Sequence, residues 1–267
     1  MPMLNKYTVD SPDKARLRLY EPADTGGFAE KQEIAAEFAA LSKALQAEQD
    51  KLIAGKSRAV LIVFQGMDCS GKDGVIKKTL AALNPQYFRA ESFKQPTEEE
   101  QLHDFLWRVH RLVPGKGRIA AFNRSYYEDV LVPAVHGSLS ERETAARIEH
   151  INHFERLLRD EGVAIVKIFL HISKAFQKEK LRQRMDDPAK RWKFNPNDLE
   201  ERKLWDRYAE AYETVFAATG SKASPWYVVP ADRRWFRDYL TLKIVTSALA
   251  ELSLDYPDAE VPKRDFE

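Results

Sequence analysis

Apolar residues in this chain fall into short unbroken runs, separated by longer stretches where they recur every three or four positions. The run Ala59 to Gln65, AVLIVFQ, is apolar almost throughout, partly β-branched and too short for a buried helix, which predicts a central parallel strand covered on both faces. Similar runs at Phe88–Phe93, Ile119–Phe122, Val163–Ile172 and Trp226–Val229 are separated by enough chain for a helix, so five parallel strands in an α/β sheet are expected. Helical periodicity predicts Phe28–Ile53, a crossover helix over Thr97–Leu112, a helix opening at Ser140 and closing at Gly162, another from Asn197 to Ala218, and a last one from Asp232 to Leu252. Thr97 with Glu100, and Ser140 with Glu143, have the spacing of capping boxes. Residues 1–27 read as an extended arm ending at Gly26-Gly27, residues 28–255 as a single domain and residues 256–267 as a tail. The stretch Ser173–Lys193 breaks the pattern: it is dominated by charge and interrupted by Pro188.

Directly after the first strong strand stands Gly66-Met67-Asp68-Cys69-Ser70-Gly71-Lys72, which fits the first seven positions of the phosphate-binding loop G-x-x-x-x-G-K-[ST] in its strand-to-helix context. The physical basis is the convergence of backbone N–H groups around Gly66, Ser70, Gly71 and Gly74, the positive end of a helix, and the Lys72 ammonium. An ordinary strand-to-helix turn with a chance glycine spacing is the competing explanation. The eighth position is Asp73, where ATPases and GTPases carry a magnesium-binding hydroxyl. Asp68 lies inside the cradle, where an uncompensated carboxylate would repel phosphate, so a bridging Mg2+ makes its presence favourable. A carboxylate that only caps backbone N–H groups is the alternative.

Across the carboxyl edge of such a sheet, the third strand would end at Asn123-Arg124-Ser125-Tyr126-Tyr127-Glu128-Asp129. An acid for magnesium is usual there, but this chain has neutral Asn123, with Glu128 and Asp129 a turn later to restore the charge. Arg124 is placed to meet a phosphate, or else is a solvated surface arginine.

Composition narrows the class. An apolar fraction of 44% with 31% charged residues is that of a globular chain rather than a disordered one. Lys plus Arg, 42, nearly balance Asp plus Glu, 41, so nothing in the overall charge recruits nucleic acid or a membrane, and any polyanion site must be a local cluster. One cysteine, Cys69, rules out an internal disulfide and a multi-cysteine zinc site; with no apolar run long enough to span a bilayer and no leader pattern, a cytoplasmic location is expected. The six histidines show no spacing that demands a phosphohistidine or a metal site.

The loop written GMDCSGKDG, the strand exit FNRSYYEDVLV, the intervening KQPTEEEQLHDFLWRVH and the later LRQRMDDPAKRWKF and PWYVVPADRRWFRDYL together resemble the polyphosphate kinase 2 family over residues 25–255. That resemblance implies a P-loop kinase-like three-layer α/β/α sandwich, similar to thymidylate kinase, with a helical lid at about 173–200. It implies phosphoryl transfer from inorganic polyphosphate to nucleoside mono- or diphosphates with Mg2+, or Mn2+ as a substitute. AMP, ADP and ATP, and guanine nucleotides besides, are the implied nucleotide partners, and a dimer or tetramer the implied assembly. Gly66, Ser70, Gly71, Lys72, Asp73 and Gly74 would then hold polyphosphate with Arg124. Asp68 would hold the metal, and Arg184, Arg182 and Lys193 would form a basic lid. Asn123 stands where the family usually has Asp, so the second metal ligand is open between Asn123 and Glu128; the same feature resembles the subgroup that accepts both AMP and ADP. Lys94, Pro96 and Thr97, at the exit of the second strand, sit where nucleotide would dock, with Asn123 and Glu128 nearby. Two competing classes stay open at this point: an ATP-dependent nucleotide kinase of the same fold, and a non-catalytic nucleotide-binding module.

Overall fold

A computed structural model of the chain describes residues 2–258. Six strands form one sheet: β1 (Thr8–Val9), β2 (Ala59–Gln65), β3 (Phe88–Ser92), β4 (Ile119–Asn123), β5 (Val163–His171) and β6 (Trp226–Pro230). Their spatial order is β1-β6-β5-β2-β4-β3. The five strands expected from the apolar runs are all present and mutually parallel. The sheet has six because β1 adds an antiparallel pair at the edge of β6. Two residues are too few to leave a periodic signature in sequence.

The helices are α1 (Pro2–Asn5), α2 (Ala35–Gly55), α3 (Lys72–Thr79), α4 (Glu98–Gln101), α5 (Trp107–His110), α6 (Glu128–His136), α7 (Glu141–Asp160), α8 (Lys174–Asp186), α9 (Asn197–Lys203), α10 (Trp205–Thr219) and α11 (Arg234–Ala250). Helices α2, α3 and α11 pack together on one side of the sheet, and α6, α7 and α10 on the other. Every residue of β2 is buried, which is what a strand covered on both faces requires. Each large aliphatic or aromatic side chain removed from water there contributes on the order of 1.5–3 kcal/mol, so the strand that feeds the glycine loop is firmly held.

Three local expectations differ from what is observed. Residues 2–27 do not form an extended arm but fold against the domain: Tyr7, Val9, Ala15, Leu17 and Tyr20 are buried, the Val228 N–H donates to the Tyr7 carbonyl at 2.8 Å, and Glu213 accepts from the Leu17 N–H at 2.9 Å. The crossover expected as one helix over Thr97–Leu112 is two single turns. Thr97 and Glu100 do form their capping box, but Leu102 then points to solvent and Asp104 starts a new turn, accepting the Leu106 N–H at 2.9 Å. The helix expected over Asn197–Ala218 breaks at Leu204 into α9 and α10. Ser140 and Glu143 cap α7 as their spacing predicts. Of the tail expected at 256–267, residues 259–267 lie outside those described, and 256–258 carry no regular element.

The topology places one crevice. The chain leaves β2 for the edge strand β3 on one side and leaves β4 for β5 on the other side of β2. Such a switch opens a cleft at the carboxyl ends of the strands, and the Gly66–Lys72 loop and the Asn123–Glu128 segment both emerge there.

Candidate active site

The loop after β2 is shaped by backbone that few residues tolerate. Gly66 has φ +151° and a side chain on it would run into the Leu170 carbonyl, while Gly71, at φ +89°, N-caps α3 where a side chain would strike the Arg237 guanidinium. Cys69 takes the left-handed conformation at φ +69° without being glycine. Lys72, the first residue of α3, curls back into the loop: its ammonium donates to the Gly66 carbonyl at 2.7 Å and the Met67 carbonyl at 3.3 Å, and reaches the Ser70 hydroxyl at 3.5 Å. Burial, seconded by the nearby Arg124 charge, lowers the Lys72 pKa, against the pull of Asp68, Glu128 and Asp73.

Opposite the loop, β4 ends in a sharp turn. Arg124 has φ +64°, stabilised by its N–H donating to the Phe64 carbonyl at 2.9 Å, and a non-glycine residue held there costs on the order of 1–3 kcal/mol. The turn aims its guanidinium between two acids: Nη2 donates to Asp68 at 2.6 Å and Nη1 lies 3.5 Å from Glu128. Glu128 first and then Asp68 raise the Arg124 pKa further above its already high value. Glu128 also accepts from the Gln65 amide at 3.0 Å. The Asn123 amide nitrogen donates to Asp73, so the residue that replaces the loop hydroxyl is engaged by the residue that replaces the strand-end acid.

These groups border a cleft of about 680 Å³. Of the residues singled out from sequence, Gly66, Asp68, Lys94, Pro96, Asn123, Arg124, Glu128 and Asp129 line it. Lys72, Ser70, Gly71 and Gly74 belong to the loop wall behind, and Asp73 borders a second cleft beside β3 together with Asn123. Thr97 is not among the lining residues; its hydroxyl accepts the Glu100 N–H as a helix cap. Arg184 is turned to Asp198, at 3.1 Å, and Asp198 itself lines the cleft. Arg182 and Lys193 are exposed and lie outside the lining, Lys193 sitting over the Trp192 ring at 4.9 Å. None of the six histidines lines the cleft.

Several groups at the site carried no signal in the sequence. Arg108 is buried, pairs with Asp129 at 2.9 Å and donates to the Lys94 carbonyl at 2.9 Å, which ties the β3 exit to Asp129 on the cleft wall. Arg237 of α11 is buried under the loop and donates to the Ser70 carbonyl at 3.3 Å. Trp205, Tyr208 and Tyr212 of α10 give the cleft an aromatic wall, and the Tyr208 hydroxyl donates to Glu201 at 2.7 Å. Gln177 of α8 ties the lid to the loop by donating to the Asp68 carbonyl at 3.1 Å. Asp198 is pushed up in pKa by burial and by Asp68. Arg108 and Arg237 fall within KQPTEEEQLHDFLWRVH and PWYVVPADRRWFRDYL, two of the stretches that carry the family resemblance, but neither motif shows what they bind.

Among the described residues no group of three or more His, Cys, Asp or Glu side chains is arranged to hold a metal. Mg2+ does not require one. It is commonly held by one or two carboxylates, with water and substrate phosphate completing the shell, and Asp68 and Glu128 on either side of Arg124 supply a donor set of that kind.

Comparison with known proteins agrees with this geometry. Residues 28–257 match the family model for polyphosphate kinase 2. The AMP/ADP-polyphosphate phosphotransferase of Meiothermus ruber is 44% identical over 258 residues, 96% of this chain and 97% of the relative. The ADP-polyphosphate phosphotransferase of Rhodopseudomonas palustris is 41% identical over 81% of this chain and 79% of its own length. The crystal structure of polyphosphate kinase 2 from Arthrobacter aurescens superimposes with a TM-score of 0.89 at 38% identity, covering 95% of this chain and 94% of that one. With the glycine loop, the Arg124 turn and the charged lid on one crevice, and the match running through all of them, the chain belongs to the polyphosphate kinase 2 family.

Proposed function

We propose that this protein transfers the terminal phosphoryl group of inorganic polyphosphate to AMP and to ADP, with Mg2+. The observation that carries the proposal is the Arg124–Asp68 pair, 2.6 Å apart on the switch-point cleft, with the Lys72 ammonium held in the loop wall behind it. Two cations and a carboxylate at that place are what an in-line phosphoryl transfer needs, since the reaction depends on positioning and charge neutralisation rather than on covalent chemistry. The names of the Meiothermus ruber and Rhodopseudomonas palustris relatives support the donor, and the first of them supports both acceptors.

In this reading Lys72 and the loop N–H groups bind the donor chain, and Arg124 neutralises charge on the transferred group. Asp68, with Glu128 or the Asn123 carbonyl, would hold Mg2+, which supplies charge compensation between donor and acceptor phosphates. An acceptor phosphate oxygen is already a competent nucleophile, so no histidine or other base is required. Lys94 and Pro96 at the β3 exit, with the Trp205–Tyr208–Tyr212 wall, would orient the nucleotide. Arg184, released from Asp198, would close on the donor. Guanine nucleotides as further acceptors, an assembly of two or four copies and a cytoplasmic location belong to the same proposal; no helix among the described residues is long and apolar enough to cross a membrane.

The test is a matrix of donors and acceptors. Purified protein is given AMP or ADP with Mg2+ and either polyphosphate or ATP as sole donor, and nucleotide products are followed. ADP and ATP should form from polyphosphate. Transfer from ATP alone would place the protein among ATP-dependent kinases instead.

A further inference from the structure

Behind the Arg124 turn, and away from the cleft, lies a fully buried polar cluster. Glu155 of α7 is 1% exposed, yet its carboxylate is surrounded by donors. Its Oε1 accepts from the Tyr126 hydroxyl at 2.9 Å and the Tyr127 hydroxyl at 2.7 Å. Its Oε2 accepts from the Lys167 ammonium of β5 at 2.9 Å and the Ser224 hydroxyl at 3.2 Å. Lys167 also donates to the Thr219 carbonyl at 2.8 Å, and the Tyr127 N–H donates to the buried Ser125 hydroxyl at 3.2 Å. None of Ser125, Tyr126, Tyr127, Glu155 and Lys167 lines the cleft.

The stability of the core does not by itself call for this arrangement. Replacing a buried ion pair with well-packed apolar side chains is often neutral or stabilising. What a satisfied buried network does add is a fixed register for the segments that enter it. Here the segment is Tyr126-Tyr127, which with the buried Ser125 joins the site-facing Arg124 to Glu128. Both hydroxyls end on one carboxylate oxygen, and that carboxylate is anchored from the opposite side by β5 and by the chain entering β6. The turn they hold is strained at Arg124, so without the anchor its backbone has a lower-energy conformation to relax toward.

We infer that Glu155 is a positioning residue of the active site, acting through the Tyr126 and Tyr127 hydroxyls to set Arg124 and Glu128 against Asp68. This inference rests on the proposed roles of Arg124 and Glu128 at the phosphates. It assigns catalytic consequence to two hydroxyls and a carboxylate that touch neither substrate.

The experiment is the double variant Tyr126→Phe/Tyr127→Phe, which keeps both rings in the core and removes only the two donors. Steady-state rates are measured well below its melting temperature, with wild type alongside and both polyphosphate and ATP tried as donors. The donor used by wild type decides the proposed function, and the variant is read with that donor, so the two readings fail separately. A positioning role predicts a fall in kcat of about 10- to 100-fold at nearly unchanged KM for the donor, as expected when charged groups are displaced by about 1 Å. A kcat loss of less than about tenfold, or a loss carried by KM alone, would overturn the inference, because a network serving only stability shifts the melting temperature and leaves turnover of the folded enzyme alone. If the double variant does not fold, Tyr127→Phe is measured by the same criterion, since it removes the shorter of the two bonds.

Discussion

The two sides of the cleft are built on different physical terms. On one side the Gly66–Lys72 loop and the Arg124 turn grow out of β2 and β4, whose residues are buried almost throughout, and they are braced from behind by Arg237 and by the Glu155 cluster. On the other side α8 and the turns up to α9 are mostly charged and exposed, with only Gln177 and Leu181 of α8 buried. The first side can hold strained backbone at Cys69 and Arg124 because its surroundings leave no alternative. The second can swing, because few apolar contacts oppose it. In the proposed function, preorganised electrostatics would therefore belong to the strand side, and capture and enclosure of substrate to the lid side.

The ion pairs sharpen this contrast. In both halves an arginine is held by a carboxylate of the cleft, Arg124 by Asp68 and Arg184 by Asp198. Polyphosphate would have to exchange those partners. On the strand side the exchange would be a change of partner at a fixed position, leaving Asp68 free to hold Mg2+ as proposed. On the lid side it is a movement of the residue.

Breaking the strand side should have the largest effect. Arg124→Ala is expected to lower kcat by about 100- to 1,000-fold, the range seen when one preorganised donor to a developing charge is lost. KM for polyphosphate should change far less. A comparable rise in KM with kcat preserved would mean that Arg124 only recruits substrate.

A smaller effect of different form is expected from the lid. Arg184→Ala should raise KM for polyphosphate by about tenfold, the worth of one charge-assisted contact, and lower kcat less than Arg124→Ala does. Varying the salt adds a control: screening should weaken donor binding of wild type more steeply than that of the variant. Equal effects of the two variants on kcat and KM would remove the distinction between the halves.

How much of this was readable beforehand follows the same division. The strand side was legible because its signals are local: AVLIVFQ can hardly be anything but a doubly covered strand, and the glycine spacing after it has one common physical use. Capping boxes at Thr97 and Ser140 were equally local. Arg237, Arg108 and Glu155 were not, since each meets its partner through the fold at a large sequence separation. On the lid, the family resemblance points to Arg184 and, more loosely, to Arg182 and Lys193, and of the three only Arg184 pairs with a residue of the cleft. A charged helix looks the same in sequence whichever face meets the site. The break at Leu204, which separates the helix carrying the aromatic wall from α9, and the two-residue β1 also depend on packing rather than on any periodic pattern.

The division between a preformed strand side and a mobile lid is tested most directly by hydrogen exchange of backbone amides, measured with no ligand, with polyphosphate and Mg2+, and with ATP and Mg2+ at equal phosphate. The account predicts that β2, β4 and the Arg124 turn are already protected without ligand, and that polyphosphate slows exchange across residues 174–203 more than ATP does. Unchanged exchange in that segment with polyphosphate, or protection by ATP alone, would contradict it.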